Sequence, residues 1–352
     1  MRVLQLIDSL NPGGAERMAV NIANALKSVG VDSFICTTRE EGQLKSEINE
    51  GVTYLYLKKL NTLDFAAVTR IRRFIKNNKI THIHAHTTSY FFATLIKISM
   101  PSLVVIWHEH HGNKIATTRR NNLPLFFCSI FFSCIIVVNR KLETWSRKNL
   151  KTARVNYLPN FVPSTHIPND TSKNKTLVCL ANLRSPKNHH LLIKCFSIVH
   201  KRYPDWKLQL IGKDFKNAYS EELKRIIKNE SLEGSVIFTT SAISVFRELL
   251  KASIGILSSN NEGLPMAILE YGTANLAVVC TNVGECKKVI GDYGKVVPPK
   301  NAEALANAIL FYIENETIRQ EHSNKFSKHI QENYSEAAII PKLLEIYKTS
   351  TL

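Results

Sequence analysis

Short apolar runs alternate with amphipathic stretches along nearly the whole chain. The run Val3–Ile7 has the continuous apolar character of a buried parallel strand, and Ala15–Lys27 carries an apolar stripe at helical spacing. Similar pairs recur to about residue 150, and the alternation starts again at Thr176. This pattern predicts an α/β protein in which open parallel sheets are covered by helices.

The stretch between the two alternating regions is rich in Pro, Ser, Thr and Asn, which is typical of an interdomain linker. A length of 352 residues also suits two domains better than one. We therefore predict one domain over residues 1–162 and a second over 163–330. Sheets of this kind bind ligands at the carboxyl ends of their strands, so functional residues are expected in the loops that follow strands.

The composition, with 44% hydrophobic and 21% charged residues, is that of a soluble globular protein. Neither a cleavable signal peptide nor a run long enough to span a bilayer is recognisable. The seven cysteines are scattered and form no CxxC pair, which favours reduced, buried thiols over disulfides or a zinc site. Together these features predict a cytoplasmic location.

Positive charge is concentrated in the first half of the chain. Residues 1–162 carry 22 Lys and Arg against 10 Asp and Glu, and the remainder carries 24 against 19. Such a basic half indicates an anionic partner, namely a lipid surface, a phosphorylated acceptor or nucleic acid, unless it is only a solvated surface. Residues 123–132 form a helix-like segment with four Phe, and Arg119 and Arg120 lie just upstream of it. This segment could dip into an anionic membrane, or it could be a helix buried between the domains.

A strand-like run ending at Ser258 leads into a polar loop and then to Pro265, where a helix is expected to begin. Glu262 falls on the loop, and Glu270 falls between one and two turns inside the helix. The positive end of a helix suits a diphosphate, and carboxylates accept hydrogen bonds from sugar hydroxyls. By itself the pair is weak evidence, because most such pairs belong to ordinary strand–loop–helix units.

The spacing Glu262-x7-Glu270, with Gly263-Leu264-Pro265 between, resembles the EX7E signature of the retaining GT-B glycosyltransferases of family 4. Further segments resemble that family in the right order: Gly13–Glu16, Ile83–His86, Leu183 to Asn188, Asn282–Glu285 and Gly294–Pro299. The resemblance covers essentially the whole chain. It implies two Rossmann-like domains that face each other across a cleft, with a closing helix over about 331–352 that crosses back to the first domain.

The resemblance assigns the second domain to a nucleotide-sugar donor and the first to an acceptor. Glu262 would hold the donor sugar and stabilise positive charge at its anomeric carbon, and Glu270 would bind the ribose. The leaving diphosphate needs cationic or N–H donors. Those expected here are Lys187, Arg184, Gly13, Gly14, Gly263 and Leu264. The nucleobase is expected beside Ile243.

Two positions depart from the family pattern. Asn182 stands where the family has an Arg at the diphosphate, and Arg184 is the nearest residue that could replace it. Asp214 replaces the second Gly of a G-x-G segment, so the loop there must follow a different path, and Lys213 could contact phosphate. The sequence therefore leaves open whether an arginine contacts the diphosphate.

His82, His84 and His86 alternate along one strand, so their side chains point to one face. By resemblance His86, nearest the carboxyl end, is expected to be the catalytic residue of the acceptor side, with Glu109 and His111 beside it. His84 is expected to be a buried core residue. Histidines in line also suggest a metal site, but the family needs no metal and we predict none.

These features predict a retaining transferase that moves a hexosyl or N-acetylhexosaminyl group from a nucleotide-diphosphate sugar, with UDP as the expected nucleotide. The acceptor is expected to be a glycan, lipid-linked and extended at the inner face of the cytoplasmic membrane, in polysaccharide or lipopolysaccharide biosynthesis. The alternatives are a nucleotide-sugar 2-epimerase of the same fold and a non-catalytic nucleotide-sugar-binding protein. A nucleic-acid binder has only the charge in its favour, because no DNA- or RNA-binding motif is present.

Overall fold

Every strand pairing in the described part of the chain is parallel. The computed structural model describes residues 1–110, 120–152, 154–164, 172–239 and 245–351. The chain divides into two compact units, the first formed by Met1–Pro163 with Glu336–Leu352 and the second by Ser164–Ser335. The division falls one residue after the boundary expected from the sequence, and the chain returns to the first unit slightly later than expected because a long helix continues to Tyr334.

The first unit is built on a seven-stranded sheet. Its strands are β1 Arg2–Ile7, β2 Asp32–Thr37, β3 Thr53–Tyr56, β4 His82–His86, β5 Val104–Glu109, β6 Cys134–Val137 and β7 Val155–Tyr157. Their order in the sheet is β3-β2-β1-β4-β5-β6-β7. All of β4 and all of β1 except Arg2 are buried, as expected for central parallel strands covered on both faces.

Helices connect these strands: α1 Gly14–Ser28, α2 Phe65–Asn77, α3 Tyr90–Ser99, α4 Leu123–Cys128 and α5 Arg140–Asn149. Side-chain caps fix where two of them begin. The Asp64 carboxylate accepts from the N–H of Ala67 in α2, and the Asn139 side chain accepts from the N–H of Leu142 in α5. The predicted helix over Ala15–Lys27 is confirmed to within one residue at each end.

The Phe-rich segment is shorter as a helix than predicted. The α4 helix ends at Cys128, and a 3₁₀ turn, Ser129–Phe131, follows it. Some side chains of this segment are buried and others are exposed to solvent. Leu125 and Cys128 are buried, whereas Phe127 and Ile130 are 57% and 61% exposed. The alternative of a fully buried helix is therefore wrong.

The second unit contains a six-stranded sheet of order β10-β9-β8-β11-β12-β13. The strands are β8 Thr176–Leu180, β9 Lys207–Ile211, β10 Val236–Thr239, β11 Ile254–Leu257, β12 Ala277–Thr281 and β13 Lys295–Val297. The helices are α6 His189–Arg202, α7 Ala218–Asn229, α8 Val245–Lys251, α9 Met266–Thr273, α10 Cys286–Ile290, α11 Ala302–Glu314 and α12 Glu316–Tyr334. One apolar core joins buried residues of all six strands with those of α6, α7 and α11.

The last helix, α13 Glu336–Thr349, belongs to the first unit. The N–H of Glu336 donates to the carbonyl of Val162, and the side chain of Tyr347 is fully buried against β4. The helix therefore covers the face of the sheet that carries His84.

The two sheets confirm the predicted α/β architecture. In each, the strand order reverses at one point, between β1 and β4 in the first unit and between β8 and β11 in the second. Ligands of doubly wound sheets bind at such switch points, outside the carboxyl ends of the strands. The seven cysteines are buried and form no disulfide, as predicted. Among the described helices, none combines the length and the apolarity needed to cross a bilayer.

Candidate active site

The switch point of the second unit holds an ion pair. Lys187 lies on the loop after β8 and Glu262 on the loop after β11, and the Lys187 Nζ donates to Glu262 Oε1 at 2.6 Å. The Ser259 hydroxyl donates to the same oxygen, also at 2.6 Å. The side chains are 23% and 9% exposed for Lys187 and Glu262, so the pair is largely but not fully removed from water.

Three further hydrogen bonds join the two loops. The Asn188 side chain donates to Asn260 Oδ1 at 3.0 Å, the N–H of Asn260 donates to the carbonyl of Pro186 at 2.9 Å, and the Ser258 hydroxyl donates to the carbonyl of Lys187 at 3.0 Å. Asn188 also begins α6 in a left-handed conformation, with φ of 55°. Because these bonds fix both loops, they fix the position of Lys187 relative to Glu262.

The loop after β12 packs against the loop that carries Glu262 and is hydrogen-bonded to it. Gly284 has φ of +55°, and a Cβ on it would lie 2.4 Å from the carbonyl oxygen of Glu262 and 2.5 Å from that of Gly263. The N–H of Glu285 donates to the Gly263 carbonyl at 3.0 Å, and the Thr281 hydroxyl donates to the Ser259 carbonyl at 2.6 Å. Only glycine allows this approach and this conformation. The sequence matched this segment to the family, but it did not predict what Gly284 does.

The helix after the Glu262 loop begins one residue later than predicted. Pro265 is the N-cap, in an extended conformation, and α9 starts at Met266. Gly263 and Leu264 are buried directly before it, and Glu270 lies in its second turn, half-buried. The arrangement of loop, Pro and helix that the sequence predicts around Glu262 is otherwise present.

The two departures from the family pattern have structural explanations. The Asn182 side chain accepts from the N–H of Lys213 at 2.9 Å and so ties the loop after β8 to the loop after β9. Asp214 accepts from the N–H of Lys216 at 2.7 Å and shapes that second loop. Arg184 is exposed, and within the described residues its side chain makes neither a hydrogen bond nor an ion pair. A cation is thus available near the position that Asn182 leaves uncharged.

The switch point of the first unit contains the glycine loop after β1. Gly13 precedes α1 in extended conformation, and Gly14 is the exposed first residue of that helix. A Cβ on Gly13 would meet only the flexible Glu16 side chain. The tighter glycine is Gly42, which sequence reasoning missed, because a Cβ there would lie 2.0 Å from the carbonyl carbon of Leu10. A glycine outside any motif gives no signal of such a contact in a single sequence.

Four histidines form a buried cluster on β4 and at the end of β5. His84 Nε2 lies 3.1 Å from His108 Nδ1, and His86 Nδ1 lies 2.9 Å from His110 Nε2. The other nitrogens of the two β4 residues are also engaged, that of His84 by the Tyr347 hydroxyl at 2.6 Å and that of His86 by Gln5 Oε1 at 2.9 Å. The pairing of His108 and His110 with the β4 histidines could not be predicted, because the sequence alone does not show that β4 and β5 are adjacent in the sheet.

His86 differs from what the sequence predicts of its surroundings. The expectation was a side chain at the open carboxyl edge, but His86 is fully buried and both of its ring nitrogens are occupied. His110, at the end of β5, covers it. Thr87, which follows His86 in the chain, has φ of 49°, and its carbonyl accepts a hydrogen bond from the Trp107 indole at 2.8 Å. A β-branched residue in this region is strained, and such strain clusters at functional sites.

Burial keeps three of these histidines, His84, His86 and His108, uncharged. It lowers the pKa of His84 to about 3, with the nearby His110 acting in the same direction. It lowers the pKa of His86 and of His108 well below the usual value, with the neighbouring histidines adding to the effect. These imidazoles are therefore neutral at neutral pH, so each carries one ring N–H and one lone pair.

Ring nitrogens of His84, His86 and His108 lie within 4.8 Å of one another and could in principle hold a metal ion. However, the rings of His84 and His86 are stacked with 15° between their planes, and those of His84 and His108 with 16°. All four ring nitrogens of His84 and His86 are moreover engaged in hydrogen bonds, which an ion at this position would have to displace. The expectation of no metal stays a prediction.

The remaining predicted residues lie partly outside the described ranges. Glu109 is the last residue of β5 and is buried. His111 and Ile243 lie outside the described residues.

Two family models match this chain and together extend from residue 12 to residue 333. "Glycosyltransferase Family 4" matches residues 12–166, and "Glycosyl transferases group 1" matches residues 165–333. An uncharacterized glycosyltransferase of Haemophilus influenzae is 27% identical over 96% of this chain and 95% of its own length. The O-antigen biosynthesis glycosyltransferase WbnH of Escherichia coli is 23% identical over 92% of this chain and 94% of its own length.

Solved structures share the fold. The structure of HepE from Anabaena in complex with UDP-glucose superposes with a TM-score of 0.84 at 17% identity, covering 99% of this chain and 100% of that one. A point mutant of TarM from S. aureus, in a complex that contains UDP, superposes with a TM-score of 0.82 at 12% identity and covers 99% of this chain and 100% of that one. The chain therefore belongs to the group 1 glycosyltransferases of family 4 and has the GT-B fold.

Proposed function

We propose that this protein is a retaining glycosyltransferase that moves a hexosyl or N-acetylhexosaminyl group from a UDP-sugar to a glycan acceptor in cell-surface polysaccharide or lipopolysaccharide biosynthesis. The observation that carries the proposal is the Lys187–Glu262 pair at the switch point of the second sheet. When the bond between the sugar and the diphosphate breaks, negative charge builds on the diphosphate and positive charge on the anomeric carbon. A cation and a carboxylate at this edge can stabilise these two charges. The similarity to WbnH and to UDP-bound structures supports the choice of donor and pathway.

Each candidate donor-site residue is assigned to one part of the donor. Lys187 pairs with the diphosphate, together with Arg184 and the backbone N–H groups of Gly263 and Leu264 in the loop directly before α9. Glu262 is released from Lys187 when the phosphate arrives, and it then holds the sugar hydroxyls. Glu270 accepts from the ribose hydroxyls. The backbone at Gly13 and Gly14 contributes to the diphosphate site, and Ile243 contacts the base.

The reaction proceeds on one face of the sugar. The bond between the anomeric carbon and the leaving diphosphate oxygen breaks, and the acceptor oxygen forms its bond from the same side, so the configuration is retained. The acceptor hydroxyl gives its proton to an oxygen of the leaving phosphate. Lys187 stabilises the negative charge that builds on the diphosphate, and Glu262 stabilises the positive charge at the anomeric carbon. No metal is required for these steps.

The acceptor side belongs to the first unit, with Glu109 and His111 as the residues proposed beside the acceptor and the buried His86 acting through His110. An exposed face of α5 carries basic, polar and aromatic side chains, namely Arg140, Lys141, Thr144, Trp145, Lys148 and Asn149. Such a face suits a glycan that carries phosphate, since cations bind phosphate and an indole ring packs against a sugar. We therefore place a lipid-linked acceptor here, with the enzyme working from the cytoplasmic side of the membrane.

An exposed apolar surface supports contact with an anionic membrane. Leu123, Phe127 and Ile130 are 48%, 57% and 61% exposed, and Lys151 lies beside them with its Nζ 5.3 Å from the centre of the Phe126 ring. Together with the basic composition of residues 1–162, this surface suits lipids with acidic head groups.

Sedimentation with vesicles tests the membrane contact. The protein should bind vesicles rich in phosphatidylglycerol and not those of phosphatidylcholine alone, and Phe127→Glu should weaken binding. The matched control is Phe215→Glu in the second unit, where Phe215 is 40% exposed. Equal loss of binding in both variants, or binding that ignores lipid charge, would contradict the proposed surface.

A panel of UDP-, GDP-, ADP- and TDP-sugars tests the donor. Only the correct nucleotide should raise the melting temperature at low concentration, because a ligand at a hundred times its Kd adds about 2.7 kcal/mol to the folded state. Transfer is then measured with an extracted glycolipid as acceptor. Stabilisation by UDP-sugars followed by epimerised sugar, with no transfer, would overturn the proposal in favour of an epimerase.

A further inference from the structure

Gln5 is a buried amide in the middle of an apolar strand. It lies on β1, is fully inaccessible, and is paired in register with His84 of β4. A buried amide is costly unless it is hydrogen-bonded, and an apolar residue would suit this position in a central strand better. Its Oε1 lies 2.9 Å from His86 Nε2. The partner of this amide is therefore the histidine cluster.

The amide oxygen determines which nitrogen of His86 carries the hydrogen. A carbonyl oxygen only accepts, so His86 donates through Nε2. Because the neutral ring has a single N–H, its Nδ1 must accept, and within the described residues the donor it meets is the Nε2–H of His110, which lies 2.9 Å away. Hydrogen bonds are therefore donated from His110 to His86 and from His86 to Gln5.

A second branch runs through Tyr347. Burial raises the pKa of this phenol, and the Gln5 side chain lowers it. The Gln5 Nε2 has no hydrogen-bond partner of ordinary geometry within the described residues, but its N–H side acts on the phenol oxygen, where it offsets part of the rise in the pKa of Tyr347 that burial causes. The Tyr347 hydroxyl then donates to His84 Nδ1 at 2.6 Å, and His84 Nε2–H donates to His108 Nδ1 at 3.1 Å.

The cluster has a second self-consistent arrangement. If the Gln5 amide were turned over, its N–H would face His86 and its oxygen would face Tyr347. Every hydrogen bond in both branches would then reverse, and His84 and His86 would carry their hydrogens on Nδ1. Gln5 is the residue that joins the two branches, so its orientation sets both at once.

We propose that Gln5 fixes the direction of hydrogen bonding through the buried histidines and that His86 is a positioning residue for His110. His86 Nδ1 holds the Nε2–H of His110, so Nδ1 is the nitrogen through which His110 can exchange a proton with a ligand. His110 follows the last residue of β5, at the carboxyl edge where ligands of such sheets bind. This last step rests on the proposed function, whereas the hydrogen-bond direction does not.

The direction can be observed without any assay of transfer. The full chain is labelled with ¹⁵N-histidine, and the ring nitrogens are assigned through single His→Gln variants and measured at pH 7.5. The proposal expects the hydrogen on Nε2 of both His84 and His86. Hydrogens on Nδ1 of both rings would overturn it, because that is the reversed arrangement.

Two substitutions at Gln5 separate direction from packing. Gln5→Glu keeps an acceptor oxygen and should keep the His86 Nε2–H resonance, whereas Gln5→Met removes the acceptor and should shift or abolish that resonance. The matched control is Gln209→Met on β9, a buried amide that donates to Thr239 and Glu248 at 2.9 Å each and should leave the histidine signals unchanged. Retention of the Nε2–H signal in Gln5→Met at its wild-type position would contradict the role of Gln5.

Kinetics then test the effect on His110. Gln5→Met should lower kcat by about tenfold or more with the KM for the donor unchanged, since a positioned acid or base contributes 10²–10⁴-fold. Gln5→Glu should restore most of kcat. Equal loss in both variants would mean that Gln5 only packs the core. If the wild-type protein shows no transfer at all, the proposed function fails, but the nitrogen spectra still decide the direction.

Discussion

The two switch points have the same strand order and opposite chemistry. In the first unit the switch point between β1 and β4 holds neutral imidazoles, an amide and a phenol, all fully or almost fully buried. In the second unit the switch point between β8 and β11 holds the Lys187–Glu262 ion pair, which keeps some contact with water. The histidine network of the first is buried and neutral, with the Asp8 carboxylate at the edge of the strands beside it, whereas the pair of the second is charged and partly exposed.

This difference shows how one architecture can serve two tasks. A charged, partly exposed pair can exchange its internal partner for a phosphate or a sugar at small cost, since the groups are not fully desolvated. A buried neutral network cannot exchange partners without leaving a polar group unsatisfied, so it is suited to holding one arrangement. The predictions below test this contrast, from the largest expected effect to the smallest.

Replacing Glu262 should give the largest effect on activity. Glu262→Ala should lower transfer about 10²–10³-fold, because it removes a charge that stabilises the anomeric centre, while UDP binding persists. Initial rates and calorimetric titration with UDP measure the two quantities. Glu248→Ala is the control, since Glu248 is also a hydrogen-bonded carboxylate of the second unit. Wild-type turnover in Glu262→Ala would remove Glu262 from the active site.

Acidification should destabilise the first unit more than the second. The pKa of His84 falls from 6.5 in the unfolded chain to about 3 when folded, so the unfolded state gains protons first and stability is lost as the pH falls below 6.5. At pH 5 His84 alone costs about 2 kcal/mol, and His86 and His108 act in the same direction. In the second unit His189 is the comparable residue, with its pKa lowered to about 4 by burial.

Hydrogen exchange measured at pH 7 and pH 5, corrected for the intrinsic pH dependence, follows both units in one molecule. The opening free energy of β4 should fall further than that of β9. An equal fall in both strands would mean that the histidine cluster is not held neutral, and the contrast between the two switch points would disappear.

Gly284→Ala should destabilise the second unit by about 1–3 kcal/mol, because the new Cβ is forced against two carbonyl oxygens in a left-handed conformation. Gly30→Ala is the matched control, since Gly30 has φ of +79° but nothing within 4 Å of the Cβ position. Chemical denaturation measures both. The difference between the two variants isolates the contact with the Glu262 loop, and the absence of any difference would show that this contact is unimportant.

Lys187→Met should weaken UDP binding about tenfold or more, as expected for the loss of one charge-assisted hydrogen bond. Lys194→Met, at an exposed position on α6, should leave binding unchanged. Titration calorimetry at two salt concentrations measures both variants. If the two variants bind UDP equally well, the diphosphate is held elsewhere.

Much of the fold could be predicted from the sequence because buried parallel strands are continuous apolar runs and their helices carry an apolar stripe. The three-residue strands β7 and β13 could not, since so few residues establish no periodicity. The short α10 was missed for the same reason.

The site was only partly predictable. Lys187 and Glu262 could be placed together because both follow strands of one sheet and carry family motifs. The contacts of Gln5 with His86 and of His84 with Tyr347 depend on strand order and on a helix more than 260 residues away. Such contacts are decided by packing over long sequence separations, which no local pattern describes.

The central claim is that a nucleotide sugar binds at the switch point of the second unit. Hydrogen exchange of the wild-type protein with and without saturating UDP-glucose tests it most directly. We predict slower exchange in residues 182–188 and 258–270, with β4 of the first unit unchanged. Saturation that leaves both segments unprotected, or protection confined to the first unit, would contradict the account.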